Sequence, residues 1–265
     1  MGVPALPLTE LYNAAGDYIR ARGGDIRLRC PVDSFRPDAS EVKVCSGGEE
    51  LSFDYLIVAV PFNSLASTLP QTAEFKPLRE LMQRFRSSPI TGIHLWFDRE
   101  ISDLDHAVLL DRTIQWMFHK SRILRPHALQ SNPGTPSYVE LVVSASKSLV
   151  EKSRSEIVDL ALKELREFFP AAREATLLKS TVIKEVHATY SPEPGVDAYR
   201  PPSATASPRL FLAGDWTATR WPATMEGAVR SGYLAAESLA TAANVASPKY
   251  LVPDLPAAGL MRLLT

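Results

Sequence analysis

Leu210-Phe-Leu-Ala-Gly-Asp-Trp-Thr-Ala-Thr-Arg-Trp-Pro-Ala-Thr-Met-Glu-Gly-Ala-Val-Arg-Ser-Gly-Tyr-Leu-Ala-Ala-Glu237 changes texture three times within one run. Arg209 to Ala213 is a short apolar strand, Gly214-Asp215 a tight turn, and Met225 to Ala240 a helix rich in small residues. Gly214 lets a backbone come close to a ligand at the carboxyl edge of the strand, where open α/β sheets bind cofactors. Asp215 can accept hydrogen bonds from ligand hydroxyls. The helix start near Met225 presents backbone N–H groups and the positive end of a dipole, which suits a group that becomes anionic. Gly227, Ala228, Ser231 and Gly232 keep one helix face thin enough to pack closely on a sheet or a ligand. By itself a Gly-Asp pair is equally a strand–helix turn with no ligand.

Working outward, Tyr55-Leu-Ile-Val-Ala-Val60 is a continuous apolar strand ended by Pro61. Such a run suits a strand buried on both faces of a parallel sheet. Glu41 to Asp54 reads as a hairpin turning at Ser46-Gly-Gly-Glu49, and Asp25 to Pro31 as a short alternating strand. Thr9 to Arg22 reads as a helix with Thr9 as N-cap and Gly23-Gly24 as its stop. Residues 63–87 read as two amphipathic helical pieces broken at Pro70 and Pro77. Strand patterns follow at 89–97, 113–118, 137–144 and 176–190, with a helix from Ser153 to Phe169 whose stripe is Ile157, Leu160, Ala161, Leu165 and Phe168.

Composition narrows the function. Over 265 residues, 29 Lys+Arg balance 30 Asp+Glu for a net charge of -1, which removes the electrostatic drive for nucleic-acid binding. The longest clean apolar stretch, Tyr55 to Phe62, is far short of the ~20 residues of a spanning helix. Cys30 and Cys45 have neither CxxC nor Cys/His metal spacing and read as reduced structural thiols. No metal site is expected. Met1 to Leu8 has no basic n-region and no apolar h-region, and a cytoplasmic location is expected.

The full string from Gly214 to Glu237 resembles the C-terminal flavin-contacting segment of the FAD-dependent amine oxidase and phytoene desaturase superfamily. The variant Trp221-Pro-Ala-Thr-Met-Glu-Gly-Ala228 most resembles the squalene-associated hydroxysqualene dehydroxylase branch. Val32 matches the valine whose backbone meets the adenine, Asp54 to Pro61 the strand beside the adenosine, and Thr189 to Gly195 the segment before the flavin motif. The resemblance implies an α/β fold with an α+β insert: a partial FAD-binding Rossmann-like domain carrying an inserted mixed-sheet substrate domain. The implied segments are a partial FAD domain at 1–61, a substrate domain at 62–205, the FAD-domain strand and helix at 206–243, and a tail at 244–265. It places Gly214 and Asp215 by the pyrophosphate and ribitol, the Met225 amide at the flavin C2 oxygen, and Glu226, Gly227 and Ala228 at the helix start. Trp221 and Pro222 become walls of the substrate cavity. Thr224 stands where amine oxidases carry an aromatic cage tyrosine, which favours an apolar chain over an amine.

The implied activity is reductive dehydroxylation of hydroxysqualene, an isoprenoid lipid. A carotenoid-type desaturase and a flavin-free isoprenoid- or partner-binding module stand as alternatives. The proton donor such a reaction needs is not identified; His94, His119, His187 and Tyr190 lie on strand patterns, while His106 and His127 fall in loops. Trp116-Met-Phe118 reads equally as a lipid-tunnel wall or as sheet core. The tail Ala257 to Thr265 is mildly amphipathic, read as packing on the body, with contact at the inner membrane face as the other reading. The family's opening GxGxxG turn is not found in these residues. The expectation is therefore a C-terminal portion, or a half that pairs with an N-terminal half on another chain, and in either case a chain that binds little flavin, is inactive and is poorly soluble by itself.

Overall fold

The computed structural model describes residues 2–124, 136–246, 249–256, 258–259 and 262. His127 and most of the amphipathic tail lie outside them. The described strands are β1 (Ser34–Pro37), β2 (Val42–Ser46), β3 (Glu49–Phe53), β4 (Leu56–Val58), β5 (Ser87–Phe97), β6 (His106–Val108), β7 (Trp116–Phe118), β8 (Ser137–Ser144), β9 (Leu177–Tyr190) and β10 (Leu210–Leu212). The chain clusters into two compact units, Met1–Arg29 with Ser87–Ala188, and Cys30–Arg86 with Thr189–Thr265.

The first unit holds a five-stranded sheet in the order β6-β7-β8-β5-β9, with antiparallel β5–β8, β7–β8 and β6–β7 ladders. Period-two burial divides its faces: Ile93, Leu95 and Phe97 of β5 join Val139, Leu141 and Val143 of β8 in the core. Helix Arg154–Phe168 adds Ile157, Ala161 and Leu165 to that core, whereas Phe168, the end of the expected stripe, is 40% exposed. Ser153 and Glu156 cap the helix reciprocally, the Ser153 hydroxyl accepting from the Glu156 amide and the Glu156 carboxylate from the Ser153 amide. Glu164 lies buried on the same face, and its two oxygens accept the amides of Thr113 and Ile114 at 3.1 and 2.8 Å.

The second unit combines an antiparallel meander, β1-β2-β3, with a parallel pair, β10-β4, in register Leu210↔Leu56 to Leu212↔Val58. The expected hairpin at 41–54 forms as β2 and β3, turning at Gly47 and Gly48, both at positive φ. Helices Phe62–Thr68 and Lys76–Met82 cover the core with Phe62, Leu65, Leu69, Phe75 and Met82. The closing helix is Met225–Ala242, against an expected end near Ala240.

Several local expectations are corrected. Asp25 to Pro31 is not a strand: Arg29 is left-handed (φ 56°), Leu28 is 78% exposed, and Arg27 pairs locally with Asp25. Thr9 caps nothing, because the first helix already begins at Leu8 behind Pro7. The stop at Gly23-Gly24 holds, Gly23 being left-handed and the Gly24 amide bonding the Ile19 carbonyl. Pro77 starts a helix instead of breaking one, and β1 and β6 were not foreseen. In β4 only Val58 is buried; Leu56 and Ile57 are half-buried. Residues 62–86 and 189–205, assigned from sequence to the substrate domain, cluster with β4 and β10, since their apolar side chains share that core.

Replacing Glu164 by Leu strands two amides, and the expected loss is about 2–4 kcal/mol. Glu164→Gln keeps an acceptor oxygen and should lose about half of that or less. Urea unfolding of both variants measures the difference.

Candidate flavin site

The strand–turn–helix is fastened by side chains. The Gly214 amide donates to the Ser231 hydroxyl at 2.7 Å, and that hydroxyl donates to the Ala228 carbonyl at 2.5 Å. Trp216, 1% exposed, donates its Nε1–H to the Val60 carbonyl at 3.1 Å. Gly214 sits at φ 149°, and a Cβ there would lie 2.2 Å from Trp216 Nε1. The glycine is thus required by the indole packed on it. The sequence reading had assigned its smallness to the approach of a ligand; the structure supplies an internal reason.

Residues 215–224 form a loop held from below by Arg200, whose guanidinium donates to the Asp215 carbonyl at 2.8 Å, Thr219 Oγ1 at 2.9 Å and the Asp197 carboxylate at 2.8 Å. Burial pushes the Asp215 carboxyl above the usual aspartate range, with hydrogen bonding from the Trp216 amide and the positive Arg200 pulling it back in part. Arg220 is left-handed (φ 58°), a conformation that favours smaller residues. Thr224 caps the closing helix by accepting the Gly227 amide at 3.1 Å. A Cβ on Gly227 would meet the Pro222 carbonyl oxygen at 2.5 Å, which explains the second glycine. Trp221 lies under the Arg230 guanidinium at 5.0 Å, and Arg230 pairs with Glu226 at 3.4 Å and with Asp254 of the tail at 2.9 Å.

Gly214, Asp215, Trp221, Pro222, Thr224, Glu226, Gly227 and Ala228 are therefore knit into one segment. Met225 opens the helix and is 55% exposed. Val32 stands on the approach to β1, 51% exposed, outside the contacts that join the others. Thr224, read as replacing the cage tyrosine of amine oxidases, spends its hydroxyl on the cap, and Gly232, foreseen on the thin face, is exposed with open space where a Cβ would go. Trp216, Ser231 in its bridging role and Arg200 were missed. A Trp directly after Gly-Asp and a Ser one helical turn past Gly227 were signals for the first two; Arg200, inside a Pro-rich connection, offered none.

The foreseen proton-donor candidates are tied up in different ways. In the first unit His94 Nδ1 hydrogen-bonds the Tyr138 hydroxyl at 2.7 Å, and burial together with Glu140 pushes that hydroxyl to about 12. His119 is buried against Ser137 at 2.7 Å, and desolvation, with Arg122 nearby, holds it below its usual value. His187 bonds Ser87 at 2.8 Å. His106, expected in a loop, lies on β6 stacked on Phe118. In the second unit Tyr190 is buried beneath Arg200. Of Trp116-Met-Phe118, Met117 enters the core while the two rings stack on the other face at 5.8 Å.

A cleft of about 820 Å³ borders this segment, lined among others by Tyr190, Arg200, Arg220, Trp221 and Pro222. The residues suit an anionic, partly apolar cofactor. Arg200 Nε is a buried donor with no acceptor among the described residues, the helix start brings a positive dipole end, and Val32 and Met225 present apolar surface. Among the described residues no cluster of His, Cys, Asp or Glu could hold a metal ion, and no helix is long and apolar enough to cross a membrane.

The family model of flavin-containing amine oxidoreductases matches residues 7–240, and the chain belongs to that family. FAD is the cofactor that membership assigns. The chain is 31% identical to the 15-cis-phytoene desaturase of Synechococcus elongatus over 251 residues, covering 88% of the chain and 51% of that protein. It is 29% identical to the chloroplastic/chromoplastic 15-cis-phytoene desaturase of Solanum lycopersicum over 239 residues, covering 84% and 39%. The chain thus spans about half the length of these relatives or less. Among solved structures, an oxidoreductase from Methanosarcina mazei superposes with a TM-score of 0.62 at 17% identity, covering 83% of this chain and 51% of that one. Cyclohexylamine oxidase from Brevibacterium oxydans gives 0.54 at 16% identity, with 80% and 48% covered. Both share the fold.

Two outcomes follow for the flavin-free protein. Gly214→Ala should lose about 2–4 kcal/mol, since strain and overpacking each cost about 1–3. Trp216→Leu in the same chain should recover part of that loss, read as a coupling energy in urea unfolding. Asp215 titrates higher folded than unfolded, so the folded chain binds more protons between the two values. Stability then falls as pH rises through a window starting at the ordinary aspartate value. Asp215→Asn should abolish that fall and be the more stable form at neutral pH, as measured by denaturation midpoints from acid to neutral pH.

Proposed function

We propose that the protein containing this segment is an FAD-dependent desaturase acting on a long apolar isoprenoid of the carotenoid type. The observation that carries the reading is the similarity to 15-cis-phytoene desaturases over 88% of the chain. When bound, FAD supplies hydride acceptance from a substrate C–H bond. This chain's part is positional. The Gly214-Asp215 turn presents a carboxylate and close backbone at the strand edge, and the start of helix Met225–Ala242 turns a positive dipole end to the same segment. Trp221 and Pro222 supply apolar borders, and Thr224, with its hydroxyl held by the Gly227 amide, offers no aromatic ring to cage an amine.

Reductive dehydroxylation of hydroxysqualene, the expectation from Trp221-Pro-Ala-Thr-Met-Glu-Gly-Ala228, is kept as the second reading because that string favours it. The relatives named above support desaturation better. The isoprenoid substrate, peripheral membrane contact and pairing with an N-terminal half on another chain belong to this proposal.

The natural full-length protein, loaded with FAD, decides between them. Incubation with phytoene is expected to bleach the flavin and yield products with added double bonds. Squalene formed from hydroxysqualene by the reduced protein would favour the second reading. A flavin-loaded protein inert towards both would sink the isoprenoid assignment.

A further inference from the structure

Arg200 belongs to neither the flavin string nor the set of candidate proton donors. Its side chain is 3% exposed, and among the described residues its one carboxylate partner is Asp197, which is 82% exposed and so a weak neutraliser. One guanidinium nitrogen is shared between the Asp215 carbonyl at 2.8 Å and Thr219 Oγ1 at 2.9 Å. Thr219 Oγ1 in turn accepts the Trp221 amide at 3.2 Å, and the Ala218 amide bonds the Pro201 carbonyl at 2.8 Å. The guanidinium carbon lies 5.3 Å from the Tyr190 ring centre, which closes the other side. Nε finds no acceptor among the described residues.

We propose that Arg200 is a positioning residue for the cofactor loop: one nitrogen of its planar fork holds Asp215 and Thr219 together while the other is anchored on Asp197, and this sets the direction in which the turn at Gly214-Asp215 meets an anionic dinucleotide. The inference rests on the flavin reading and deepens it. A lysine carries the charge but not the fork, because an ammonium is a point charge without paired planar donors. The geometry and the charge are therefore separable.

The natural full-length protein, Arg200→Lys and Arg200→Met are compared by two measurements: hydrogen exchange in the flavin-free protein, and titration with FAD. Exchange is expected to rise at the amides of residues 215–219 in both variants, while β10 and helix Phe62–Thr68 keep wild-type protection. The FAD dissociation constant is expected to rise about tenfold to a hundredfold for Arg200→Met, as the loss of hydrogen bonds from a charged group predicts, and less for Arg200→Lys. Exchange rising equally across the core strands would show a merely structural arginine and overturn the proposal. So would an FAD affinity within twofold of wild type in Arg200→Met. Wild-type protein that binds no FAD would sink the flavin reading, and exchange at residues 215–219 would still decide the role of Arg200.

Discussion

The contact of the Trp216 indole with Gly214 is the constraint on which the second unit depends. The parallel ladder of β10 and β4 is only three residues long on each side, too short to orient the segment by itself. The indole extends it: its Nε1–H reaches the Val60 carbonyl just beyond β4, while the Ala213 amide reaches the Val58 carbonyl. On the other side of the turn, Ser231 takes the Gly214 amide and ties it to the closing helix. Strand, turn and helix are thereby locked around a residue with no side chain. A Cβ at that point would displace the ring that holds the assembly together.

The first unit shows the complementary solution. Its long strands β5, β8 and β9 have enough ladder to orient themselves, and period-two burial places one face of β5 and β8 under helix Arg154–Phe168. The other face carries a half-buried aromatic row: Trp96 stacks on Tyr138 at 4.6 Å, and Trp116 on Phe118. The Trp96–Tyr138 pair joins β5 to β8, and cross-strand rings of this kind stabilise a sheet directly. The sheet tolerates a buried Glu164 because two amides satisfy it.

The sequence conveyed long periodic elements and missed what depends on partners. Helix Arg154–Phe168 and strand β9 were legible because many residues repeat one pattern, and the strand–turn–helix because Gly214 and Gly227 mark positions where backbone and rings come close. Asp25 to Pro31 misled because alternation says nothing about whether a neighbouring strand exists to take its N–H groups. Thr224 was read for its missing aromatic ring, yet its hydroxyl has a helix end to serve. Gly214 was read as making room for a ligand, and the structure adds the protein's own tryptophan: a glycine reports that something approaches, not what it is. Residues 62–86 were read with the inserted substrate domain, yet they cluster with β4 and β10, because amphipathicity does not name the surface it will cover.

Arg200 shows why the least legible residue can matter most. A cation 3% exposed with one exposed carboxylate partner carries a desolvation cost that its ion pair does not offset. A leucine or methionine of similar length would fill the space without it. What the guanidinium adds is direction, since one nitrogen serves Asp215 and Thr219 together and another serves Asp197. Strained Arg220 follows directly in the same loop, its left-handed backbone tolerable only where flanking residues are held. Stability alone gives no reason to bury such a charge beneath a surface loop. On the proposed flavin reading, a loop that presents a carboxylate and backbone donors in one orientation gives that reason.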